Sequence, residues 1–410
     1  MTLFTPLTLP NGSSIPNRIA KAAMEENMAD VDFAPSDKLL TLYKAWAEGG
    51  AGLLITGNVM VDTRAMTGPG GVVLEQASQL DKFKAWAKAG RANGAQFWMQ
   101  INHPGRQMPQ SLGQTTWAPS PVAVELGALS KHFKPPQELT EARILEVIER
   151  FVRTAKLAEE AGFTGVEVHA AHGYLLSQFL SPLTNKRQDK WGGALANRAR
   201  ILTHIIKGIR EVVSQDFAVA VKLNSADFQR GGFSVSDAQE VVIMLNELGV
   251  DLVELSGGSY EAPAMHGKTR DGSTLSREAY FLTFAKEIQT VARMPIMVTG
   301  GIRRLPIAEK VIESGIDMVG MATALAIDPT LPKDWLAGKP STAQMRPITW
   351  RNKPLASLAY MAVVKYHLLK LSLAQSAKVN VSPLWALIVN QIDGAVRTRK
   401  YRKKLAALDE

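Results

Sequence analysis

Residues Gly165 to Gly193, GVEVHAAHGYLLSQFLSPLTNKRQDKWGG, decide how the rest of this chain is read. The apolar run Val166 to Val168, with Glu167 inside it, ends at His169. His172 and Tyr174 follow, and then a Leu-rich helical start. This is a strand end handing over to a loop. Two imidazoles and a phenol there put two hydrogen-bond donors and one proton source where a barrel or an open sheet displays its chemistry, at the carboxyl ends of its strands. The plainer alternatives are a metal pair and two core histidines. A zinc site is disfavoured because no third ligand follows at suitable spacing and the chain has no Cys, so no metal site is expected.

Outward from that stretch, short apolar runs alternate with longer helical patterns through the first 330 or so residues, the rhythm of βα units around a parallel sheet. Eight candidate strands occur: Arg18 to Met24, Gly52 to Thr56, Gln96 to Ile101, Gly165 to Val168, Ala218 to Leu223, Leu252 to Leu255, Ile296 to Thr299 and Met318 to Met321. Helical stretches follow, among them Gln79 to Asn93, Ser236 to Leu248 and Pro306 to Glu313. Gly94, Gly249 and Gly315 sit where these should stop. Eight units predict an α/β fold, a TIM (β/α)8 barrel. A doubly wound sheet is the competitor, but the Gly-x-Gly-x-x-Gly turn it would carry after its first strand is absent; Glu25 and Glu26 stand there instead. Asn11-Gly12, ahead of the first strand, signals a hairpin that could cap the barrel floor.

Two insertions break the beat. Residues 102 to 138 carry six prolines, and a loop of that length on a barrel's active face shapes a substrate mouth or lid. Residues 257 to 274, with Gly257, Gly258, Ser259, Gly272 and Ser273, read as a second rim. Thr140 is placed to cap the helix that begins at Glu141. The barrel is assigned to residues 1–340. From 341 to 410 the βα rhythm is gone, and the chain reads as a helical extension: Leu355 to Leu373, with Lys365, His367 and Lys370 interrupting its apolar positions, then a second helix from Pro383. Packing on the barrel wall or across a homodimer interface is favoured over lying on a membrane.

Composition narrows the function classes. The chain has 410 residues, 46% of them hydrophobic, and a net charge of +9. The absence of cysteine excludes thiolate catalysis, disulfides and Cys-ligated iron–sulfur clusters. The N-terminus lacks the pattern of a secretory signal, and no apolar span reaches the length needed to cross a bilayer, so a cytoplasmic protein is expected. Arg397, Arg399, Lys400, Arg402, Lys403 and Lys404 concentrate the positive charge. With only Tyr401 among them they lack the interleaved aromatics of a nucleic-acid platform, and they read as a solvated helix face; neither nucleic acid nor membrane is expected as a partner.

The string His169-Ala170-Ala171-His172-Gly173-Tyr174, then Gln178-Phe179-Leu180-Ser181-Pro182, Asn185, Arg187, Asp189 and Gly192-Gly193, resembles the Old Yellow Enzyme family of flavin-dependent ene-reductases. The resemblance runs over about residues 3 to 335: Asn17-Arg18-Ile19, Gln100, His103-Pro104-Gly105-Arg106, Gly300-Gly301 and Asp328-Pro329 carry it on other strands. It implies a TIM barrel with FMN at its top, loaded by NADH or NADPH. It also implies that His169 and His172 hold the carbonyl oxygen of an enone-type small-molecule substrate, in the His/His version of the pair. Hydride from flavin N5 then reaches the β-carbon and Tyr174 delivers a proton to the α-carbon. Around the flavin the resemblance implies Gln100 on the pyrimidine ring, Lys222 beside N1 and O2 where many relatives have Arg, and phosphate at the loops of Gly300, Gly301, Arg303 and of Gly320, Ala322, Thr323. The family commonly has Arg in place of Thr323. Near the ring, relatives often have Pro, Met and Cys or Thr where this chain has Ala23, Met24 and Glu25. Asn58 replaces a small residue and could offer its amide. A carboxylate beside the flavin would lower its potential unless protonated or turned to Lys222 or Arg303, and Glu25 is read either as a site residue or as pointing into its loop. A missing cluster of thiolates sets the chain apart from the iron–sulfur relatives. Two alternatives stay open: other flavin chemistry on the same barrel, such as dehydrogenation or non-redox isomerisation, and a non-catalytic ligand-binding barrel.

Overall fold

A computed structural model describes residues 2–263, 279–343, 345–376 and 380–409. His266, Gly272 and Ser273 of the second rim lie outside them.

Eight parallel strands close on themselves: β1 (Ile19–Lys21), β2 (Leu53–Ile55), β3 (Gln96–Asn102), β4 (Gly165–Ala170), β5 (Ala218–Asn224), β6 (Leu252–Ser256), β7 (Ile296–Val298) and β8 (Met318–Met321). β4 pairs with β3 on one side, Gly165 opposite Trp98, and with β5 on the other, Gly165 opposite Ala218. β8 returns to β1 with Gly320 opposite Ala20, which completes the barrel. All eight expected strands are present. Around them lie α1 (Asp37–Glu48), α2 (Leu80–Gly90), α3 (Glu141–Glu160), α4 (Arg200–Val212), α5 (Val235–Asn246), α6 (Leu282–Gln289) and α7 (Leu305–Glu313). A short helix, Thr323–Ile327, follows β8. Thr140 does cap α3, accepting from the Arg143 amide at 3.3 Å. The α2 stretch ends three residues before Asn93: a 3-10 turn takes over, with Asn93 at φ 61° and Gly94 at φ 76°.

Alternation along each strand sorts the interior. Ala20, Leu53, Ile55, Trp98, Ala218, Ala220, Leu252, Met297 and Met318 form one apolar cluster inside the barrel. Leu7, Leu9 and Ile15 of the N-terminal hairpin, Leu7–Thr8 against Ser14–Ile15, plug it from below. Above that plug the inward residues turn polar: Gln100, Glu167, Lys222 and Glu254, all buried. An apolar floor under a polar layer directs the chemistry to the top.

Arg18 and Lys21 are structural. Arg18 donates to the Asp317 carbonyl at 2.8 Å. Lys21, fully buried, reaches the Ile55 carbonyl at 2.7 Å, the Tyr43 hydroxyl at 3.0 Å and Glu26 at 3.5 Å, and lies over the Tyr43 and Trp46 rings. Burial pulls its ammonium down to about 8.

The extension forms α8 (Lys353–Ser372) and α9 (Pro383–Asp409). α8 packs on α1 and on the short helix after β8, and α9 packs on α8. Part of the basic run is not the solvated face expected of it. Arg397 donates to the Asn27 carbonyl, Lys404 pairs with Asp32 at 2.7 Å, and the buried Tyr401 donates to the Thr63 carbonyl at 2.9 Å and packs on Phe33. The helix is docked on the loops above β1 and β2 because Tyr401 and Leu405 share an apolar cluster with Phe33, Met60 and Met66. Among the described residues no helix is long and apolar enough to cross a membrane.

Gly165 starts β4 without room for a side chain: a Cβ there would stand 2.7 Å from the Ala218 carbonyl oxygen and 2.8 Å from the Trp98 ring. Gly165→Ala should therefore lower stability by roughly 1–3 kcal/mol, read as a drop in the denaturant midpoint with an unchanged m-value.

Candidate active site

The long loop after β4 is held rigidly before any chemistry is considered. Asn185 donates to the Phe179 and Trp191 carbonyls, both at 2.8 Å, and Arg187 reaches the Leu139 carbonyl at 2.7 Å while pairing with Asp189. Gln178 ties this stretch to the loop after β3, donating to the Pro104 carbonyl at 3.1 Å and accepting from the Arg106 amide at 3.1 Å. Much of the string that carried the family resemblance is thus framework. His103 is framework too, its Nδ1 accepting from the Gly105 amide at 3.0 Å; burial holds its imidazole down at about 3, so it stays neutral. Met66 and Trp191 are buried packing, whereas Tyr260, in the second rim, reaches the site.

On that frame the three chemistry-bearing side chains converge. The His169 and His172 rings lie 5.1 Å apart, and the His169 and Tyr174 rings 4.9 Å apart. His169 Nδ1 accepts from the Ala171 amide at 3.2 Å, which leaves Nε2 as its N–H donor. Burial, helped by the nearby Lys222 cation, pushes His169 well below its ordinary value, so it is a neutral donor. His172 adopts φ 60°, a left-handed conformation fixed by its amide donating to Asn224 Oδ1 at 3.0 Å. Its Nε2 is 2.7 Å from Ser256 Oγ. The Tyr174 and Tyr260 hydroxyls are 3.1 Å apart. Burial first, then Tyr260 and Glu25, raise Tyr174 well above the ordinary phenol value, so it keeps its proton. Among the described residues no three His, Cys, Asp or Glu groups gather to hold a metal.

His172 and Tyr174 line a cavity of about 360 Å³ at the top of the barrel. One wall is made of small residues: Ala22, Ala23, Gly300, Gly301, Gly320 and Ala322. Gly300 and Gly301 take φ of 115° and 74°, and a Cβ on Gly301 would sit 2.5 Å from the Tyr280 hydroxyl, so the backbone there can be approached closely only because both are glycines. Met24, Glu25, Lys222, Arg303 and Thr323 also line the cavity. Lys222 Nζ is 2.5 Å from the buried Glu254. Beside that pair, Gln100 donates to Glu167 at 2.6 Å. Burial, and then the Glu254 carboxylate, push Glu167 well above the ordinary carboxyl value, so it holds a proton. His169 and Gln100 stand behind the lining rather than in it.

These residues fit a flavin. The smooth wall suits a flat ring, Lys222 is a buried cation for its electron-rich edge, and the glycine loops with Arg303 and Thr323 offer donors for a phosphate. A closed parallel barrel with this donor set defines a flavin-dependent oxidoreductase of the TIM-barrel class. The chain belongs to the NADH:flavin oxidoreductase / NADH oxidase family, whose model matches residues 2–341. It is 38% identical to the NADH-dependent flavin oxidoreductase iliE of Neonectria sp., over 83% of this chain but only 48% of that protein. It is 37% identical to iliE of Hypocrea jecorina, over 80% of this chain and 87% of that one. Among solved structures it is similar to the old yellow enzyme homologue from Zymomonas mobilis, with a TM-score of 0.72 and 23% identity over 87% of this chain and 98% of that one, a likeness of fold. FMN is the family's cofactor and a nicotinamide its hydride donor.

Glu25 takes one of the two placements weighed from sequence, as a residue of the site, but with partners that sequence did not indicate. Glu25 lines the cavity but turns neither to Lys222 nor to Arg303: Thr67 donates to it at 2.6 Å, and Lys365 of α8 pairs with it at 3.4 Å. Lys365 also donates to Asn27. Burial works to raise the Glu25 carboxyl, but Lys365, Thr67 and Asn27 outweigh it and hold it below its ordinary value. Asn58 donates its amide to Thr67 at 3.3 Å. Sequence reasoning missed Lys365, whose only signal was a cation interrupting an apolar helix. It also missed Glu254, buried within what reads as a plain apolar strand.

Lys365→Met removes the counter-charge of Glu25 at the cavity mouth. At mildly alkaline pH the flavin midpoint potential should fall, because an uncompensated carboxylate disfavours added electrons, and Glu25→Gln in the same background should restore it; an anaerobic redox titration measures both.

Proposed function

We propose that this protein reduces the activated carbon–carbon double bond of α,β-unsaturated carbonyl compounds, with NADH or NADPH as the source of hydride. The observation that carries this reading is the convergence of the His169, His172 and Tyr174 rings, with His172 and Tyr174 in the cavity lining and His169 behind them. FMN, when bound, supplies hydride storage and delivery. The chain's own residues do the rest. The two imidazoles are donors for one carbonyl oxygen, and two donors stabilise the negative charge that collects there as the double bond is reduced. The tautomer fixed by Ala171 aims an N–H from His169 Nε2. Tyr174, kept protonated in its buried position, is the acid for the α-carbon, and Tyr260 can resupply it through the 3.1 Å contact between the hydroxyls. This is the His/His form of the pair.

A second reading, other flavin chemistry such as dehydrogenation or isomerisation, is favoured by one feature: the Glu25–Lys365 pair makes the cavity mouth more polar than enone reduction requires. Anaerobic mixing of NADH-reduced protein with 2-cyclohexenone separates the two. Reoxidation of the flavin supports the enone reading; a flavin that NADH or NADPH reduces but the enone leaves reduced favours the second.

Tyr174→Phe should slow reoxidation by the enone about 10²–10⁴-fold and leave reduction by the nicotinamide nearly unchanged. Because Tyr174 titrates well above and His169 well below their ordinary values, both keep one protonation state across neutrality. Neither Tyr174 nor His169 should accordingly contribute an inflection to the reoxidation rate between about pH 6.5 and 9, by stopped-flow absorbance.

A further inference from the structure

The family's model ends at residue 341, yet the cavity does not. Tyr360, Met361, Val364, Lys365 and Leu368 line it, and their spacing is that of one face of a helix. α8 is therefore a wall of the site, running from the Gly300–Gly301 and Thr323 side, where Tyr360 stands, to the place where Lys365 holds Glu25. Lys365 lies five positions after Tyr360, about 7.5 Å of helix rise, so a single helix lines the cavity at both places.

At the Tyr360 end the polar groups share one character. Tyr360 and Thr323 line the cavity together, on helices packed against each other, Arg303 is close enough to act on the Tyr360 hydroxyl electrostatically, and Gly300 and Gly301 complete the lining there. Two hydroxyls, a guanidinium and open backbone amides are donors suited to a dianionic group. No acidic side chain of the described residues lines this end; the cavity's one carboxylate, Glu25, is at the other, paired with Lys365. We propose that α8 is a structural part of the FMN site and that Tyr360 is a phosphate-binding residue, its hydroxyl donating with that of Thr323 to the phosphate alongside the Arg303 guanidinium. This rests on the FMN reading of the cavity and adds to it a ligand from outside the barrel.

Tyr360→Phe tests it without removing packing, since only the hydroxyl is lost. Apoprotein is titrated with FMN and, separately, with riboflavin, which has the same ring and no phosphate, and binding is followed by quenching of flavin fluorescence. Loss of one hydrogen bond to a charged group should weaken FMN by about tenfold or more and leave riboflavin unchanged. Equal weakening of both flavins would make Tyr360 a packing residue of the wall, and no change in either would place it away from the phosphate; each overturns the assignment. Wild-type apoprotein that takes up neither flavin would overturn the FMN reading itself, an outcome distinct from failure of the variant alone.

Discussion

A cation inside a closed barrel must be answered, and the Lys222–Glu254 pair is the constraint on which the site depends. Both side chains are buried, on neighbouring strands in direct register, Lys222 opposite Glu254. Removing one partner of such a pair typically costs about 3–5 kcal/mol, far more than the pair itself adds, because a charge is left without water or counter-ion. The second carboxyl on the layer, Glu167, would make the floor too negative if ionised, and it is not: burial and Glu254 keep it protonated, with Gln100 donating to its other oxygen. The outcome is a floor that carries a positive charge toward the cavity while remaining balanced below. Register does this without any special loop. Once β4 pairs with β3 and β5, Glu167 must face Gln100, and His169 must sit level with Lys222.

From that floor upward, rigidity comes from side-chain bonds to backbone carbonyls, joined by the Arg187–Asp189 ion pair. Gln178, Asn185 and Arg187 spend their donors on carbonyls of the loops after β3 and β4, so the turn carrying His172 and Tyr174 is fixed from behind. The strained φ of His172 is held by Asn224 from β5, and such local strain persists only where surrounding contacts determine it. Donors held in place need not reorganise when charge develops in front of them, which is how a polar site outperforms water.

Much of this was legible in the sequence. Strand positions were marked by short apolar runs, and helix ends by Gly249 and Gly315, each at positive φ, whereas Gly94 closes a 3-10 turn beyond the end of α2. The convergence of His169, His172 and Tyr174 followed from their spacing at a strand end, a local property. Partners distant along the chain were not legible. Nothing near Glu25 in sequence announces that Lys365, hundreds of residues later, will neutralise it, and nothing near Arg397 announces Asn27. The basic run reads as solvated because its pattern is polar, yet Tyr401 and Leu405 among those charges dock the helix. Periodicity reports which face of a helix is apolar, not which surface it will meet.

The account's central claim is that the cavity between the glycine loops, Lys222 and α8 holds a flavin presented to His169, His172 and Tyr174. A crystal structure of the protein grown with FMN tests it most directly. The account predicts the ring between the small-residue wall and the His172–Tyr174 side, its pyrimidine edge at Lys222, and its phosphate between Gly300–Gly301 and Tyr360. Flavin bound elsewhere, or bound with Lys222 and both histidines out of contact with the ring and the space above it, would contradict it.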